Sequence, residues 1–586
     1  MAAQADKKRG QSFIQGALVL TISMAIVKLI GMLFKMVIGN VLDITGFACF
    51  NAAYELYNPL YTLATAGLPI AISRMVSENM ARQRFRDVRQ IHRISVPIFT
   101  ITGVVGFLLM IGGAFVIPAM MNTPGAVYPT LALAPMIFFA CLMASYRGYY
   151  EGLRNMVPTA VSEIIEALCK LAIGLSASYA VTAYGSWEYQ NSQTIFGMQF
   201  ASEADAQYTL SALGAAGAIA GITLGSVFGF VYIFHYYKKY GDGITRRELM
   251  DSPRTRSSRV LLKILIRTAV PIAMSSLVVN ISSLVDTLLV QNRLYDIMVS
   301  DPGFLPSFYP GLFLESDIAA NRNMNTTLYG CFGLASTVVM LIPAVTQMFG
   351  ISALPSVTAA WTEGNRKKIK HSIESVIRIT TLITIPSGMG MAVLAHPIIS
   401  LLFGGKSEQE INVAADVLVI LGIAAIFTAT STPLCSMLQA VGRVDLPVKL
   451  LTVGVIMKVV FNYVLVGIPQ INIQGAGMGS LVCYVFITAM ALYCLCKQTR
   501  IRPNFVSIFI KPLLSGVFCA LAAYLSHLLF IRFMPGKVAT LCAIAMAVLV
   551  YFISLLALKA VTKGDILRLP KGQKIAKILE KHKWIE

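Results

Sequence analysis

Continuous apolar runs recur along the whole chain, and charged residues cluster in the short gaps between them. A run of about twenty apolar residues crosses ~30 Å of hydrocarbon as an α-helix. Strands of a membrane barrel would instead show alternating segments of ~10 residues. The pattern therefore predicts an all-α, polytopic membrane protein. Its fourteen predicted spans are 13–40, 50–77, 95–120, 128–149, 158–184, 210–237, 262–290, 327–349, 375–403, 414–438, 446–467, 473–496, 509–531 and 538–559.

The gaps between these spans alternate in charge, which predicts the orientation of the chain. Gaps such as 82–93, 238–263 and 366–370 are rich in Lys and Arg, whereas 41–49 and 185–209 contain neither. Because Lys and Arg near span ends stay on the cytoplasmic side, the basic gaps are predicted to be cytoplasmic. Both ends of the chain are then expected in the cytoplasm.

Composition excludes several classes of function. A hydrophobic fraction of 56%, a charged fraction of 13% and a mean hydropathy of +0.70 exclude a soluble globular protein. The net charge of +20 lies in loops between spans and not on one soluble domain, so no nucleic-acid partner is expected. The chain has no Walker loop and no HExxH motif, and we expect no enzymatic activity and no cofactor or metal.

Two internal echoes predict a duplicated architecture. Arg154 and Pro158 are followed by Lys170 inside a span, and Arg443 and Pro447 are followed at nearly the same spacing by Lys458. Gly67-Leu-Pro before one basic loop is echoed by Ala353-Leu-Pro before another. Both echoes join spans six apart, as in transporters built from repeated halves. The predicted division is an N-terminal lobe 1–237, a cytoplasmic linker 238–261, a C-terminal lobe 262–500, extra helices 501–559 and a basic tail 560–586.

Charged residues inside the predicted spans are the candidate site, because a charge at mid-membrane is costly unless it faces a cavity. Lys28 lies about 22 Å into the first span at 1.5 Å per residue. Lys35 shares its face but approaches the outer interface. Glu163, Glu166 and Lys170 share one face of the fifth span, where Glu166 and Lys170 form either an internal pair or part of a ligand site. Lys458 is the repeat partner of Lys170.

These deep charges are mainly cationic, so a cavity that they line is expected to attract an anion such as a phosphate or a diphosphate. Arg147 lies near a cytoplasmic span end, and we interpret it as an interfacial anchor that snorkels.

Several short motifs resemble the polysaccharide and lipid-precursor flippases of the multidrug/oligosaccharidyl-lipid/polysaccharide exporter superfamily. They are Lys28-Leu-Ile-Gly31, Ala66-Gly-Leu-Pro-Ile-Ala-Ile-Ser73, Ser352-Ala-Leu-Pro355 followed by Gly364-Asn365, and His396-Pro-Ile-Ile-Ser-Leu-Leu-Phe403-Gly404. Within that superfamily the chain looks most like the stage V sporulation protein B and lipid II flippase branch of Gram-positive bacteria.

The resemblance implies a flippase of the bacterial cytoplasmic membrane, which moves a polyprenyl-diphosphate-linked oligosaccharide or peptidoglycan precursor by alternating access. Lys28 and Lys35 match cavity-lining basic residues on the first helix, and the extra hairpin matches a groove for the lipid tail. Tyr61 stands where lipid II flippases place an arginine, and the region Thr326–Tyr329 replaces another. The alternative is a cation-coupled multidrug exporter of the same architecture, which would use Glu163 or Glu166. The oligomeric state is left open.

Overall fold

The computed structural model of the chain describes residues 13–65, 67–200, 202–443, 445–501 and 503–560. The residues before 13 and all but the first residue of the predicted tail 560–586 lie outside this part. The described residues are almost entirely helical, which confirms the all-α class. A short antiparallel hairpin of β1 (Thr194–Ile195) and β2 (Met198–Gln199) interrupts the helices, and the Glu188 carboxylate accepts hydrogen bonds from the N–H groups of Phe196 and Gly197 at its turn.

The helices follow the apolar runs because a helix satisfies its own backbone polar groups within hydrocarbon. In the first half of the chain they are α1 (Phe13–Val41), α2 (Ile44–Thr65), α3 (Gly67–Ala81), α4 (Phe85–Met120), α5 (Val127–Gly152), α6 (Val157–Ser192), α7 (Glu203–Tyr240), α8 (Arg246–Asp251) and α9 (Ser258–Ser300).

In the second half the two shortest helices, α10 and α11, come first. The series is α10 (Phe304–Phe308), α11 (Glu315–Ala320), α12 (Met324–Val339), α13 (Leu341–Thr362), α14 (Arg366–Val393), α15 (Ala395–Leu402), α16 (Glu408–Ala440), α17 (Asp445–Val466), α18 (Gln474–Thr499), α19 (Lys511–Phe530) and α20 (Gly536–Ala557). A π-helical turn, Val506–Ile510, leads into α19.

Twelve helices in the described part are long and apolar enough to cross a membrane. Two predicted spans are not among them. The described residues of span 50–77 belong to α2 and α3, and span 262–290 lies within the long helix α9. The chain is therefore a multi-pass membrane protein, while the count of fourteen spans and the cytoplasmic location of both ends remain predictions.

The chain forms two compact units. The first consists of Met1–Asn292 together with Asn325–Gly330, and the second of Arg293–Met324 together with Cys331–Glu586. The first unit includes most of α9 and the first turns of α12, which the predicted lobe boundaries assign to the C-terminal lobe. Those predicted boundaries themselves remain a prediction.

A close helix crossing in the first unit lies between α6 and α7, where small residues meet. A Cβ added to Gly221 would lie 2.1 Å from the Gly174 backbone nitrogen, so this crossing leaves no room for a side chain. Close backbone approach of this kind is how membrane helices pack without a hydrophobic driving force between them. The crossing fixes α6, the helix that carries Glu163, Glu166 and Lys170.

In the second unit, α16 packs against α13, α14 and α18, and the terminal pair α19–α20 packs against α14 and α15. The Tyr551 hydroxyl donates to the Leu382 carbonyl oxygen at 2.5 Å, and the Thr381 hydroxyl donates to that of Ile508 at 2.7 Å. These bonds attach the extra hairpin to α14 through polar contacts inside an otherwise apolar surface.

The predicted cytoplasmic linker is held against the start of α4. Arg89 makes a bidentate ion pair with Asp242 at 2.6 and 3.0 Å, and Asp87, 1% exposed, accepts from Arg84 Nε at 2.6 Å and from the Arg256 N–H at 2.8 Å. The Arg86 guanidinium donates to the Leu249 carbonyl oxygen at 2.8 Å. The linker with its short helix α8 is thus part of the first unit.

Burial by itself would raise the pKa of Asp242. The hydrogen bonds from Arg89, the Ile244 N–H and the Tyr149 hydroxyl outweigh burial, and the pKa falls below its ordinary value of 3.8. A carboxyl whose pKa is lower in the folded state stabilises the fold above its unfolded pKa. That contribution is lost as the pH falls through the folded value.

We predict that Asp242→Asn lowers the free energy of unfolding by about 1 kcal/mol near neutral pH, since the partner Arg89 is half exposed and screened. The difference between parent and variant should begin to shrink below the unfolded-state pKa of about 4 and disappear as the pH falls through the lower folded-state pKa. Thermal unfolding of the purified protein at several pH values measures this. Glu78→Gln, which removes an exposed ion pair with Arg82, is the matched control and should have little effect. An Asp242 effect that stays constant down to pH 3 would contradict the assignment.

Candidate functional site

A cluster of charged and tyrosine side chains lies among α1, α2, α5 and α6 of the first unit. Five of the seven sequence-predicted site residues take part in it: Lys35 on α1, Tyr61 on α2, and Glu163, Glu166 and Lys170 on α6. The first helix also carries Lys28. The other predicted residue, Lys458, lies half buried on α17 in the second unit.

Lys170 is surrounded by aromatic rings and by a second ammonium group. Its Nζ lies 4.8 Å from the centre of the Phe34 ring and 5.5 Å from that of Tyr54. It also interacts electrostatically with Lys35, which repels it, and with Glu166, which attracts it. Ring faces stabilise an ammonium group, but two neighbouring cations stay costly in low dielectric until an anion joins them. Lys35 and Lys170 therefore form the centre of a candidate anion site.

Lys28 lies on the side of α1 that faces away from the apolar exposed stripe. That stripe consists of Ile22, Ile26, Leu29, Leu33 and Val37, all exposed, as lipid-facing residues would be. At 100° per residue Lys28 lies about half a turn away from it, on the same face as Gly31 and Lys35. Lys28 is itself exposed, and a Cβ added to Gly31 would meet nothing within 4 Å. This second open face of α1 is therefore free of packed neighbours beside Gly31.

Arg147 is not the interfacial anchor that the sequence suggested. Its Nη2 lies 3.2 Å from Glu166 Oε2, and its Nε donates to the Ser162 hydroxyl at 2.9 Å. Both side chains of the ion pair are mostly buried. The guanidinium thus pairs with α6 inside the unit. Glu166, for which the sequence left open a pair with Lys170 or a place in a ligand site, interacts with both cations. The sequence did offer one signal that Arg147 lies among acidic groups, because Glu151 follows it by one helical turn on α5.

Further carboxylates accompany this pair. Glu163 interacts electrostatically with Arg147 and Glu166, and Glu151 with Arg147 and Glu163. One buried carboxylate oxygen of Glu163, Oε2, has no hydrogen-bond partner among the described residues. The guanidinium of Arg147 therefore serves several acidic groups at once.

Glu55 was not identified from the sequence, although it interacts with the predicted residue Lys35. It lies on α2 within electrostatic range of the Tyr329 hydroxyl as well. The sequence expectation of a mainly cationic cavity omitted Glu55 and Glu151. In the first unit the cations of this cluster are matched by carboxylates, so the described residues there have no excess of positive charge to attract an anion. Any preference for an anion must come from the proximity of the two ammonium groups of Lys35 and Lys170.

A ladder of aromatic rings runs along one face of α2. The ring centres of Tyr54 and Tyr57 are 6.0 Å apart, and those of Tyr57 and Tyr61 are 5.1 Å apart and nearly parallel. Tyr57 is buried, while Tyr61 is half buried. The predicted site residue Tyr61 thus ends a row of rings that begins beside Lys170.

Fold and charges together define a class: a polytopic helical membrane protein with polar groups inside its first unit. Comparison with known proteins narrows this class of protein further. The lipid II flippase MurJ family model matches residues 324–547, and the polysaccharide biosynthesis protein model matches residues 13–201. Both matches bear out the resemblance of this chain to polysaccharide and lipid-precursor flippases.

Among curated proteins, the lipid II flippase MurJ of Bacillus subtilis (strain 168) is 21% identical over 469 residues, covering 78% of each chain. Stage V sporulation protein B of the same organism is 22% identical over 569 residues, covering 96% of this chain and 98% of the relative. These relatives, with the candidate spans, define a multi-pass bacterial membrane protein.

Two solved structures share the fold. A lipid II flippase MurJ in an inward closed conformation superposes with a TM-score of 0.59 at 13% identity, covering 91% of this chain and 98% of that one. An inward-facing multidrug resistance MATE transporter superposes with a TM-score of 0.58 at 15% identity, covering 83% and 98%. At these identities the likeness concerns the fold alone.

We predict that Arg147→Met destabilises the protein more than the double variant Arg147→Met/Glu166→Gln. Removing the guanidinium alone leaves a mostly buried carboxylate without its partner, which costs about 3 kcal/mol, whereas removing both charges together costs less. Thermal unfolding of the two single variants and the double variant in the same detergent completes the cycle. Additive effects of the two single substitutions would show that the ion pair does not exist in the folded protein.

Proposed function

We propose that this protein is a flippase that moves a polyprenyl-diphosphate-linked oligosaccharide or peptidoglycan precursor across the bacterial cytoplasmic membrane by alternating access. The observation that carries the proposal is the pair of neighbouring ammonium groups, Lys35 and Lys170, beside the open face of α1. A diphosphate would relieve their mutual repulsion in low dielectric. The relatives named for lipid II flipping and for sporulation support the same cargo class.

In this proposal the predicted site residues take separate roles. Lys28, Lys35 and Lys170 bind the diphosphate, and Lys458 stays a separate candidate on α17. Tyr61 offers its half-buried ring to the sugar that follows the diphosphate. Glu163 and Glu166 hold Arg147 in place. Transport by such a carrier needs binding and release without catalysis of a covalent step.

The departure at Tyr61 has a counterpart in the structure. Lipid II flippases place an arginine at this position of the second helix, and this chain has none there. The first unit instead carries Arg147 on α5 and Lys170 on α6. The cations available to a diphosphate therefore come from α1 and α6, and we propose that the headgroup lies nearer to α6 than it would in a carrier with an arginine on α2.

We predict that Lys170→Met lowers flipping of a fluorescent polyprenyl-diphosphate sugar about tenfold or more, since a hydrogen bond to a charged group is lost. Lys170→Arg should retain more activity than Lys170→Met. Proteoliposomes containing the full chain, with quenching of the label exposed outside, measure the rate. Lys239→Met is the matched control: Lys239 also lies over a ring, that of Tyr240, but at the far end of α7.

The outcomes distinguish the two functions considered from the sequence, the lipid-precursor flippase and the multidrug exporter. Loss of flipping in Lys170→Met but not in Lys239→Met supports the proposal. A parent protein that flips none of the polyprenyl-diphosphate lipids but extrudes ethidium against a cation gradient would refute it in favour of the multidrug exporter.

A further inference from the structure

A compact set of buried and half-buried polar side chains joins α9 and α12 to the loop after α4, at the end of the helices that the charge pattern places outside. We call this set the amide lock; it consists of Asn122, Thr123, Gln291, Asn292, Asn325 and Thr326. All six residues belong to the first unit. Thr326 begins the region that departs from the lipid II flippase pattern, the other five were not identified from the sequence, and the proposed cargo site uses none of the six.

The contacts within the amide lock are direct. Asn122 Nδ2 donates to Asn292 Oδ1 at 2.7 Å, and Asn325 Nδ2 contacts both Gln291 Oε1 at 3.2 Å and the Asn122 carbonyl oxygen at 3.3 Å. The hydroxyls of Thr123 and Thr326 are 3.5 Å apart. Gln291 and Thr326 are fully buried, and Asn325 is 1% exposed. This network holds three segments of chain together.

The lock is incompletely satisfied. Gln291 Nε2 is buried and has no hydrogen-bond partner among the described residues. A buried donor without an acceptor raises the free energy of the closed arrangement. When the arrangement opens, water can accept a hydrogen bond from this donor and the cost is removed. The closed arrangement is therefore held by specific bonds and at the same time carries a cost that favours release.

A second contact lies one helical turn further along both helices. Thr287 precedes Gln291 by four residues on α9, and Tyr329 follows Asn325 by four on α12, so each pair shares a face. The hydroxyls of Thr287 and Tyr329 are 3.0 Å apart. Tyr329 in turn lies within electrostatic range of Glu55, the partner of Lys35. Glu55 thus interacts electrostatically with a residue of each set, Lys35 in the candidate anion site and Tyr329 beside the lock.

We infer that the amide lock is an outer gate, and that cargo bound at Lys35 and Lys170 releases it through Glu55, Tyr329 and Thr287. The second half of this statement rests on the proposed function. A diphosphate that binds Lys35 competes with Glu55 for the ammonium group and leaves Glu55 to draw the Tyr329 hydroxyl away from Thr287. The freed α9–α12 face then parts from Asn122 and Thr123, and the site opens outward.

The first test measures the lock without cargo. Hydrogen–deuterium exchange of the full chain in lipid nanodiscs is followed in peptides covering 121–127 and 322–330. Asn325→Ala and Asn292→Ala each remove one or two hydrogen bonds, and exchange in these peptides should rise about five- to thirtyfold. Asn191→Ala, which removes an outer asparagine bonded only within its own helix, to Trp187, is the control and should match the parent.

Alanine is a good helix former, so Asn292→Ala should leave α9 intact. This variant therefore still tests the lock if Asn325→Ala does not fold. If either variant folds and yet exchanges at the parental rate in both peptides, the amide lock does not hold these segments together and the inference is wrong. Unfolding temperatures measured on the same samples identify the folded variants.

The second test adds a polyprenyl diphosphate to the nanodiscs. The parent should exchange faster in 322–330 when the lipid is present, and Tyr329→Phe, which keeps the ring and removes only the hydroxyl, should lose this response. A full response in Tyr329→Phe overturns the link between site and gate, as does a parent that flips the lipid in proteoliposomes without any change in exchange.

The failure of the proposed function looks different. In that case the parent neither flips the lipid nor responds to it, which also overturns release by cargo, while Asn325→Ala and Asn292→Ala still decide whether the lock holds the outer ends of α9 and α12.

Discussion

A charge within the bilayer must be matched by an opposite charge or a polar group, and the first unit is organised around that requirement. Arg147 is held by Glu166 and Ser162, Lys35 by Glu55, and Lys170 by the rings of Phe34 and Tyr54. Each partner comes from a different helix, so the charges fix how α1, α2, α5 and α6 pack. The same pairing leaves two ammonium groups as neighbours, and this local imbalance suits a diphosphate.

The fold was largely predictable because the bilayer imposes it. Apolar length predicts a span, and the described helices follow the predicted runs closely. A deviation occurs where a run contains a break: α14 ends at Val393 and α15 begins at Ala395, within the predicted span 375–403. Hydropathy averages over such interruptions and does not detect them.

The site was only partly predictable, for a related reason. Lys35, Glu163, Glu166 and Lys170 could be found because a charge inside an apolar run is conspicuous. Arg147 was misjudged because it lies near a span end, where depth does not distinguish a snorkelling side chain from one that turns inward. Glu55 was missed because α2 is rich in polar and aromatic residues, and Tyr329 because a hydroxyl costs too little in a membrane to attract notice. Partners from other helices can be recognised only in three dimensions.

The glycine crossing of α6 and α7 has a consequence for the evolution of this family. Gly221 admits no methyl group beside Gly174, so the position cannot drift through alanine or serine unless the two helices move apart. A homologue with a larger residue there must carry α6 at another distance, and its counterparts of Glu166 and Lys170 would no longer meet α1 and α5. A glycine at this position is thus a marker, readable in any newly sequenced homologue, for carriers that keep their cations on α6.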